Sequence, residues 1–467
     1  MKKLLALLMS LVSLMGICAC DNATSSSDSF EDSVYSSLDS VEGSSDSSEN
    51  SVYDNSDSSS ENQSSEEIVY DPATNLDYYV EDVVREDMIF DTETLFAEQT
   101  EYEVLQRDAL KENMTAIKFS SSAYPAKGKS ATKPFAVIGK PTTEMPKGGY
   151  PAIVLLHGGS GQVYTKWVEY WTKKGYVAIA PDLFGNELGD SLTKEVNPDG
   201  GPDETHSGSV NDNPTSPENS WVYHSVSIAV RCNNILRSLD YVNANQIGIT
   251  GISWGGYVTC IVSGVDKRFS AFAPIYGSGF IYEGSKFTGS YGGSNRQAWI
   301  DAFDPSSYLP YATKPMLFVS GIDDNCFPVE HRQRSADLVR GKTFYSQRYG
   351  FQHGYYWDET YEVYAFMQHV LRGENTVIDV QDVYYSGNKA YIQIANPEMV
   401  EDMRLVYTTS ERLTGFNCTF ETQYVDVHEG LIEVDLPEGT TAFTFEFSNM
   451  DINLYFKMSS KIVIIED

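Results

Sequence analysis

The sequence predicts a chain of the α/β class, in which a mostly parallel sheet flanked by helices is followed by a small all-β, sandwich-like module. Three observations support this prediction. At 467 residues the chain exceeds the roughly 250 to 300 residues that one hydrophobic core organises. Apolar runs typical of buried parallel strands alternate with helical spacing over residues 113–373. After Gly373 the pattern changes to short strands of alternating polarity, separated by turn residues.

The first 20 residues have the form of a secretory signal. Lys2 and Lys3 precede an uncharged, mostly apolar run over residues 4–17, which is too short to cross a bilayer comfortably. The ending Ile17-Cys18-Ala19-Cys20 resembles the lipobox of bacterial lipoproteins, in which a cysteine is acylated and becomes the first residue. The resemblance implies an extracytoplasmic protein, lipid-anchored to the bacterial cell membrane or cell surface through Cys20. Cleavage near Ala19 without lipidation is the alternative.

Residues 21–66 predict a disordered tether. They are dominated by serine and by Asp or Glu, lack Lys and Arg, and offer too little apolar surface to offset the entropy of ordering. The formal net charge of -33 extends beyond this segment and argues against nucleic acid and against anionic lipid headgroups as partners. We therefore expect a neutral substrate and contact with the membrane only through the N-terminal lipid. Nothing in the composition predicts an oligomeric state.

Besides Cys20, four cysteines remain after the predicted processing, and none of them falls in a CxxC pair. This spacing predicts small core residues instead of a disulfide framework or a metal site. The four are Cys232, Cys260, Cys326 and Cys418.

The remaining chain divides into a lead-in at residues 67–112, a main domain at residues 113–373 and a β module at residues 374–467. The lead-in is Tyr-rich and acidic, and we expect it to pack on the main domain. A polar stretch at residues 186–220 predicts a lid or an insertion.

Helices are predicted around residues 91–99 and over residues 221–241. Strands are predicted over residues 114–120, 134–141, 152–156, 176–180, 246–250, 269–275, 316–319 and 343–349, and in the module over residues 390–395, 404–409, 430–436 and 441–447.

The central motif is Gly251-Ile252-Ser253-Trp254-Gly255. It follows the predicted strand NQIGIT and precedes an apolar helix, which is the setting of a nucleophile elbow. A serine on so tight a turn exposes its Oγ, and the crowding there requires small neighbours, which the flanking glycines and Gly256 provide. Since the five-letter string is common by chance, its placement is what predicts Ser253 as a nucleophile.

A serine hydroxyl needs a base to accept its proton and a carboxylate to orient that base. Both follow the motif in the expected order. Asp324 lies just beyond the apolar strand MLFVS, and His353 lies just past the strand at residues 343–349. Asp323 is the rival carboxylate. The other histidines have poorer order or context, and they are His157, His206, His224, His369 and His428.

An oxyanion that develops during attack needs preorganised N–H donors. The Trp254 N–H, directly after the nucleophile and at a helix N-terminus, is the first candidate. The run His157-Gly158-Gly159-Ser160-Gly161 follows the strand before the first crossover helix, so either Gly159 or Ser160 is the second.

The stretch GISWGGYVTCIVSGVDKRFSAFAPIYGSGF resembles the dienelactone hydrolase and acetyl xylan esterase branch of the α/β-hydrolases, which also includes prolyl-oligopeptidase-like (S9) hydrolases. The resemblance spans about residues 110–372. It implies the α/β-hydrolase fold and ester hydrolysis, and its Gly-x-x-Asp spacing favours Asp324 over Asp323. True dienelactone hydrolases use cysteine where this chain has Ser253, so that particular activity is not expected.

The resemblance therefore implies a serine esterase that forms an acyl-enzyme, needs neither cofactor nor metal, and acts on carboxylic esters such as acetylated polysaccharide. One alternative is a prolyl-oligopeptidase-like peptidase, although such peptidases usually carry a large propeller before the hydrolase domain. Another is a surface carbohydrate-binding protein, in which the β module with Tyr384 and Tyr385 is the functional part. Four tryptophans suit either sugar stacking or the core, and they are Trp167, Trp171, Trp221 and Trp254.

Overall fold

The computed structural model describes residues 70–72, 78, 80–97, 99–203, 214–283, 296–324, 326–354, 356–358, 360–411, 413, 418–449 and 456–465. The predicted signal, its Cys20 and the tether lie outside these residues, as do His206 and residues 204–213 of the predicted insertion. No helix within the described ranges is both long and apolar enough to cross a membrane.

The main domain and its lead-in contain seven α-helices among the residues described. These are α1 (Thr92–Ala97), α2 (Thr165–Lys173), α3 (Trp221–Ser238), α4 (Trp254–Val265), α5 (Arg296–Phe303), α6 (Val329–Asp337) and α7 (Tyr361–Arg372). The strands up to the end of the main domain are β1 (Tyr102–Leu105), β2 (Met114–Phe119), β3 (Phe135–Gly139), β4 (Tyr150–Leu156), β5 (Val177–Pro181), β6 (Asn186–Leu188), β7 (Lys194–Val196), β8 (Val242–Ile252), β9 (Ala271–Ile275), β10 (Met316–Gly321) and β11 (Thr343–Arg348).

A parallel sheet forms the centre of the main domain, in the order β5-β4-β8-β9-β10-β11. Every residue of β4, β5, β9 and β10 is buried, which explains their continuous apolar runs. Strands β1, β2 and β3 extend the sheet antiparallel on the β5 side. Helices α2, α3, α4, α6 and α7 pack against the strands. The predicted fold class is confirmed.

The C-terminal strands are β12 (Val380–Ser386), β13 (Lys389–Ile394), β14 (Val400–Thr408), β15 (Glu421–Tyr424), β16 (Leu431–Asp435), β17 (Ala442–Asn449), β18 (Lys457–Ser459) and β19 (Val463–Ile464). Strands β12, β13 and β16 form a separate antiparallel sheet. The others continue the main sheet in the order β11-β18-β17-β14-β15, with β19 paired to β17. The predicted all-β region is present, but hydrogen bonds cross its predicted boundary.

The junction between the two regions is formed by β11 and β18. Tyr345 stands opposite Ser459 in an antiparallel pair. The Ser346 hydroxyl donates to the Lys457 carbonyl at 2.8 Å, and the Gln347 N–H donates to the Ser459 hydroxyl at 2.9 Å. The C-terminal strands therefore protect the edge of the main sheet that β11 would otherwise expose.

A shared hydrophobic core crosses the same junction. Ile322 and Val329, from the loop and helix after β10, are fully buried in it. The strands and loops of the C-terminal region supply its other members, Val406, Leu413, Phe420, Ala442 and Ile462. The loop that follows β10 is consequently held by residues from both regions.

The lead-in contacts the main domain at several points. The Arg85 guanidinium donates to the Asp301 carbonyl at 2.8 Å, and the Asn234 side chain donates to the Leu95 carbonyl in α1 at 2.8 Å. Strand β1 pairs with β2 and forms the outer edge of the sheet. No sequence pattern predicts β1, whereas α1 lies within the helix predicted around residues 91–99.

The first part of the predicted insertion at residues 186–220 is the antiparallel hairpin β6–β7. The Lys194 ammonium in β7 donates to the carbonyls of Ser160 and Gly161, at 3.2 and 3.3 Å. The insertion thus reaches the glycine-rich turn that follows β4.

Candidate active site

Ser253 forms the turn between β8 and α4. Its backbone has φ 56° and ψ −114°, which is unusual for a residue with a side chain. The Ser253 N–H donates to the Ile275 carbonyl at 2.8 Å, which ties the turn to the end of β9. A conformation of this kind costs energy and persists only where the surrounding structure enforces it.

The glycines around Ser253 leave no room for side chains. A Cβ on Gly251 would overlap the Gly255 carbonyl, and a Cβ on Gly255 would overlap the Leu156 carbonyl of β4. A Cβ on Gly256 would overlap the Ile275 carbonyl. The need for small neighbours that the motif predicts therefore has a direct steric cause.

His353 lies in the loop after β11, with 17% of its side chain exposed. Its Nε2 is 2.9 Å from the Ser253 Oγ, and its Nδ1 is 3.0 Å from the Asp324 Oδ2. The structure thus brings together the three residues that the sequence nominates. With a proton on Nδ1, the ring donates to Asp324 and leaves the Nε2 lone pair facing the serine hydroxyl.

Asp324 is buried in the loop that follows β10, and its carboxylate accepts several further hydrogen bonds. The N–H groups of Cys326 and Phe327 donate to Oδ1 at 2.8 and 3.2 Å, and the Ser320 hydroxyl donates to Oδ2 at 3.3 Å. Burial alone would raise the pKa of Asp324. The hydrogen bond and charge of His353 and the charge of Arg332 outweigh burial, so the pKa lies below its usual value. Asp324 is therefore ionised at neutral pH.

Asp323, the rival carboxylate, is exposed to solvent. The carboxylate that contacts His353 is that of Asp324.

Arg332 in α6 is a contributor that sequence reasoning missed. Its guanidinium is buried and donates to the carbonyls of Gly321 and Phe327, the two ends of the loop that carries Asp324. Burial lowers the pKa of Arg332 to about 10, against the opposing charges of Asp324 and Asp323, so the side chain stays protonated at neutral pH. No spacing rule marks this residue, because its partners are backbone carbonyls.

Tyr276 is a second residue that the sequence does not single out. Its backbone φ is 60°, and its buried ring lies 4.4 Å from the His353 ring, centroid to centroid. The Tyr276 hydroxyl donates to the Gln352 carbonyl at 2.8 Å, next to the histidine in the chain. Its position at the carboxyl end of a parallel strand is the signal that could have identified it.

The predicted oxyanion donors lie on neighbouring segments. Trp254 begins α4, and a Cβ on Gly159 would come within 2.9 Å of the Trp254 indole. Ser160 has φ 57° in the turn that follows β4. His157 is buried beside them: its Nε2 accepts from the Leu183 N–H at 3.0 Å, so its Nδ1 donates to the Gly158 carbonyl at 2.9 Å. The donor roles stay predictions.

The four tryptophans considered for sugar stacking are core residues. They are Trp167, Trp171, Trp221 and Trp254, and their exposed fractions are 2%, 1%, 0% and 7%. None of these rings presents an open face to a ligand.

The model of the dienelactone hydrolase family matches residues 136–365. Over these residues the chain is similar to the dienelactone hydrolase family. The α/β-hydrolase fold of the group agrees with the parallel sheet described above, and the match covers Ser253 and Asp324 as well as His353. No curated protein matches the sequence.

The solved structures to which this chain is similar include two esterases and a peptidase. Acetyl xylan esterase from Paenibacillus sp. R4 has 17% identity and a TM-score of 0.46, with 63% of this chain and 96% of that chain covered. Acetyl xylan esterase 1 from Thermoanaerobacterium sp. JW/SL YS485 has 13% identity and a TM-score of 0.46, with 65% of this chain and 99% of that chain covered. An acylaminoacyl peptidase from Pyrococcus horikoshii has 17% identity and a TM-score of 0.44, with 58% of this chain and 44% of that chain covered.

Proposed function

We propose that this chain is a serine esterase of the dienelactone hydrolase family that uses Ser253, His353 and Asp324. The observation that carries the proposal is the unbroken chain of contacts from the Ser253 Oγ through both ring nitrogens of His353 to the Asp324 Oδ2, at 2.9 and 3.0 Å. The strained backbone of Ser253 adds support, since strain of this kind clusters at functional sites.

The first half of the reaction acylates the serine. The His353 Nε2 takes the hydroxyl proton as the Ser253 Oγ attacks the ester carbonyl, and Asp324 stabilises the resulting imidazolium. The oxyanion accepts hydrogen bonds from the Trp254 N–H and from Gly159 or Ser160. The tetrahedral intermediate then collapses, and the alcohol leaves with the proton held on Nε2.

The second half of the reaction regenerates the enzyme. A water molecule gives a proton to the His353 Nε2 and attacks the acyl carbon. Collapse of the second tetrahedral intermediate releases the carboxylic acid and returns the proton to the Ser253 Oγ. Throughout both halves, Asp324 keeps the Nδ1 proton in place, so Nε2 always faces the reacting oxygen.

The proposed substrate is a carbohydrate ester, with acetylated polysaccharide as the leading case. Its support is the esterase resemblance of the sequence and the extracytoplasmic address expected from residues 1–20. The negative charge of the chain also favours a neutral polymer. Because the four tryptophans are buried, this substrate proposal does not rest on them.

Lipid anchoring through Cys20 is part of the proposal. Metabolic labelling with a fatty-acid analogue, followed by membrane fractionation, tests it. Labelling of the wild type that disappears in Cys20→Ser supports the anchor, whereas equal labelling of both proteins contradicts it.

The enzymatic proposal is tested first with a fluorophosphonate probe, on wild type, Ser253→Ala and Ser263→Ala. Ser263 is a matched control because it is a buried serine of α4 whose hydroxyl donates to the Cys260 carbonyl. Labelling should be lost only in Ser253→Ala. Labelling that survives this substitution would remove Ser253 from the mechanism.

Substrate class is tested by acetate release from acetylated xylan, beside 4-nitrophenyl acetate and a peptidyl-proline anilide. Serine-dependent acetate release supports the carbohydrate esterase. Anilide cleavage without acetate release assigns a peptidase. If insoluble polysaccharide retains the protein, and the protein hydrolyses none of the three substrates, the binding-protein alternative is supported.

A further inference from the structure

Cys326 places a thiol beside the proposed acid–base pair, although the mechanism above does not use it. One ligand atom from each of Asp324, Cys326 and His353 lies within 4.8 Å of the other two. The Cys326 backbone N–H donates to the Asp324 Oδ1 at 2.8 Å, so the turn that holds the carboxylate also fixes the thiol. Within the ranges described, no other group of three potential metal ligands meets this spacing.

The chemistry of this trio matches a soft divalent cation. Thiolate, imidazole and carboxylate are the three side-chain types that Zn²⁺ takes, at about 2.0 to 2.3 Å, and three protein ligands plus one open position is a common arrangement. Tetrahedral geometry at those lengths separates the ligand atoms by about 3.5 Å. On metal binding, the 3.0 Å distance between the His353 Nδ1 and the Asp324 Oδ2 would lengthen slightly, and the Cys326 thiol would move towards both atoms.

We propose that Asp324, Cys326 and His353 form an inhibitory site for Zn²⁺ and similar thiophilic cations. The inhibition part rests on the proposed function, whereas the binding part does not. The ion occupies the space between the His353 Nδ1 and the Asp324 carboxylate, where the Nδ1 proton lies when the metal is absent. The Cys326 thiol binds as the thiolate and releases its proton to solvent.

Inhibition follows because the metal occupies Nδ1 of the His353 ring and thereby changes the protonation of Nε2. A cation on the Nδ1 lone pair leaves neutral imidazole with its proton on Nε2. That nitrogen faces the Ser253 Oγ at 2.9 Å and then has no lone pair to accept the hydroxyl proton. The metal therefore traps His353 in the unproductive tautomer, with no change in the oxidation state of any atom.

The Ser253 hydroxyl contacts Nε2 and not Nδ1, so it lies outside the ligand set. Metal binding should therefore persist in Ser253→Ala, a variant with no hydrolytic activity. This separates the metal site from the reaction in the experiment.

The experiment measures Co²⁺ and Zn²⁺ binding to the full chain. Wild type and Ser253→Ala should show a near-ultraviolet thiolate-to-cobalt charge-transfer band, displaced by Zn²⁺, and Cys326→Ala should lack it. Cys418→Ala is the matched control, because Cys418 is a half-buried thiol in the C-terminal region, close to the Thr408 hydroxyl at 3.8 Å. It should keep the band.

Zn²⁺ inhibition of 4-nitrophenyl acetate hydrolysis is then measured, each protein being compared with its own metal-free rate. We expect at least a tenfold lower inhibition constant for wild type and Cys418→Ala than for Cys326→Ala, with recovery on adding a chelator. Cys326→Ser, which conserves the size of the side chain, replaces the alanine variant if the latter does not fold by circular dichroism.

The outcomes are distinct. Equal inhibition constants in wild type and the Cys326 variant, or a cobalt band that survives the substitution, would overturn the site. A cobalt band that depends on Cys326 in a wild-type protein without hydrolase activity would support the metal site and refute the proposed esterase.

Discussion

Strands β4, β5 and β10 are buried along their whole length, whereas β13 and β16 expose every second residue or leave it half-buried. In the first group both faces are covered, so reactive groups can reach solvent only where the strands end. Ser253, Asp324 and His353 follow the carboxyl ends of the parallel strands β8, β10 and β11. The second group offers a solvated face, while other parts of the C-terminal region, β18 and the members of the shared core, support the main sheet. One region therefore carries the proposed reactive residues, and the other fixes the edge and a loop of that region.

Removal of residues 374–467 is the most severe test of this dependence. The truncation exposes the β11 edge and removes five of the seven side chains of the shared core. We expect little soluble protein and no fluorophosphonate labelling. Soluble expression and probe labelling of the truncated chain are the measurements, and normal labelling would show that the main domain is independent of the C-terminal strands.

The second prediction compares two glycine substitutions, one in each region. Gly255→Ala forces a Cβ onto the Leu156 carbonyl, and we expect at least about 100-fold slower probe labelling, because small displacements of reacting groups cost that much. Gly387→Ala, in the turn between β12 and β13 at φ 59°, meets no atom within 4 Å. It should cost about 1 to 2 kcal/mol of stability through its backbone conformation, with normal labelling of the folded protein.

Core truncations on either side give a subtler comparison. Ile462→Ala in the shared core and Ile392→Ala in β13 both remove a buried side chain, and each should cost about 2 to 5 kcal/mol in urea unfolding. Only Ile462→Ala should also lower the labelling rate per folded molecule, because its core includes Ile322 beside Asp324. Equal labelling rates in the two variants would show that this core does not position the carboxylate.

Acid should act on the main domain through His224. Burial lowers the pKa of His224 from 6.5 to about 4. The unfolded chain therefore binds a proton first as the pH falls, so stability is lost from about pH 6.5 down to about pH 4, by roughly 3 kcal/mol at most.

Urea unfolding at pH 7, 6 and 5 measures this loss. His224→Gln, which keeps a donor for the Glu218 carbonyl that the ring contacts at 2.9 Å, should flatten the pH dependence. An unchanged slope in that variant would assign the acid sensitivity to other groups.

Sequence patterns predicted the main domain well because its signals are local. Predicted strands such as residues 152–156 and 316–319 lie within Tyr150–Leu156 and Met316–Gly321, and the helix predicted over residues 221–241 is Trp221–Ser238. The elbow is equally local, since crowding by the Leu156 and Ile275 carbonyls requires glycine at fixed offsets from Ser253.

What the sequence did not predict depends on contacts between distant segments. The short strand β18 has no alternation to mark it, yet it joins the two regions. Arg332 and Tyr276 act on backbone carbonyls, which leave no trace in residue type or spacing. The alternating strands after Gly373 indicated a β region correctly, but alternation says only which face is buried and not which sheet a strand joins.

The pairing of β11 with β18 also has a consequence for biosynthesis. All three proposed reactive residues have been translated once the ribosome passes His353, but the neighbour of β11 arrives only with residues 457–459. A nascent chain therefore carries all three residues for about a hundred further codons before β18 can pair with β11. We expect hydrolytic competence to appear only late in synthesis, once β18 has paired with β11.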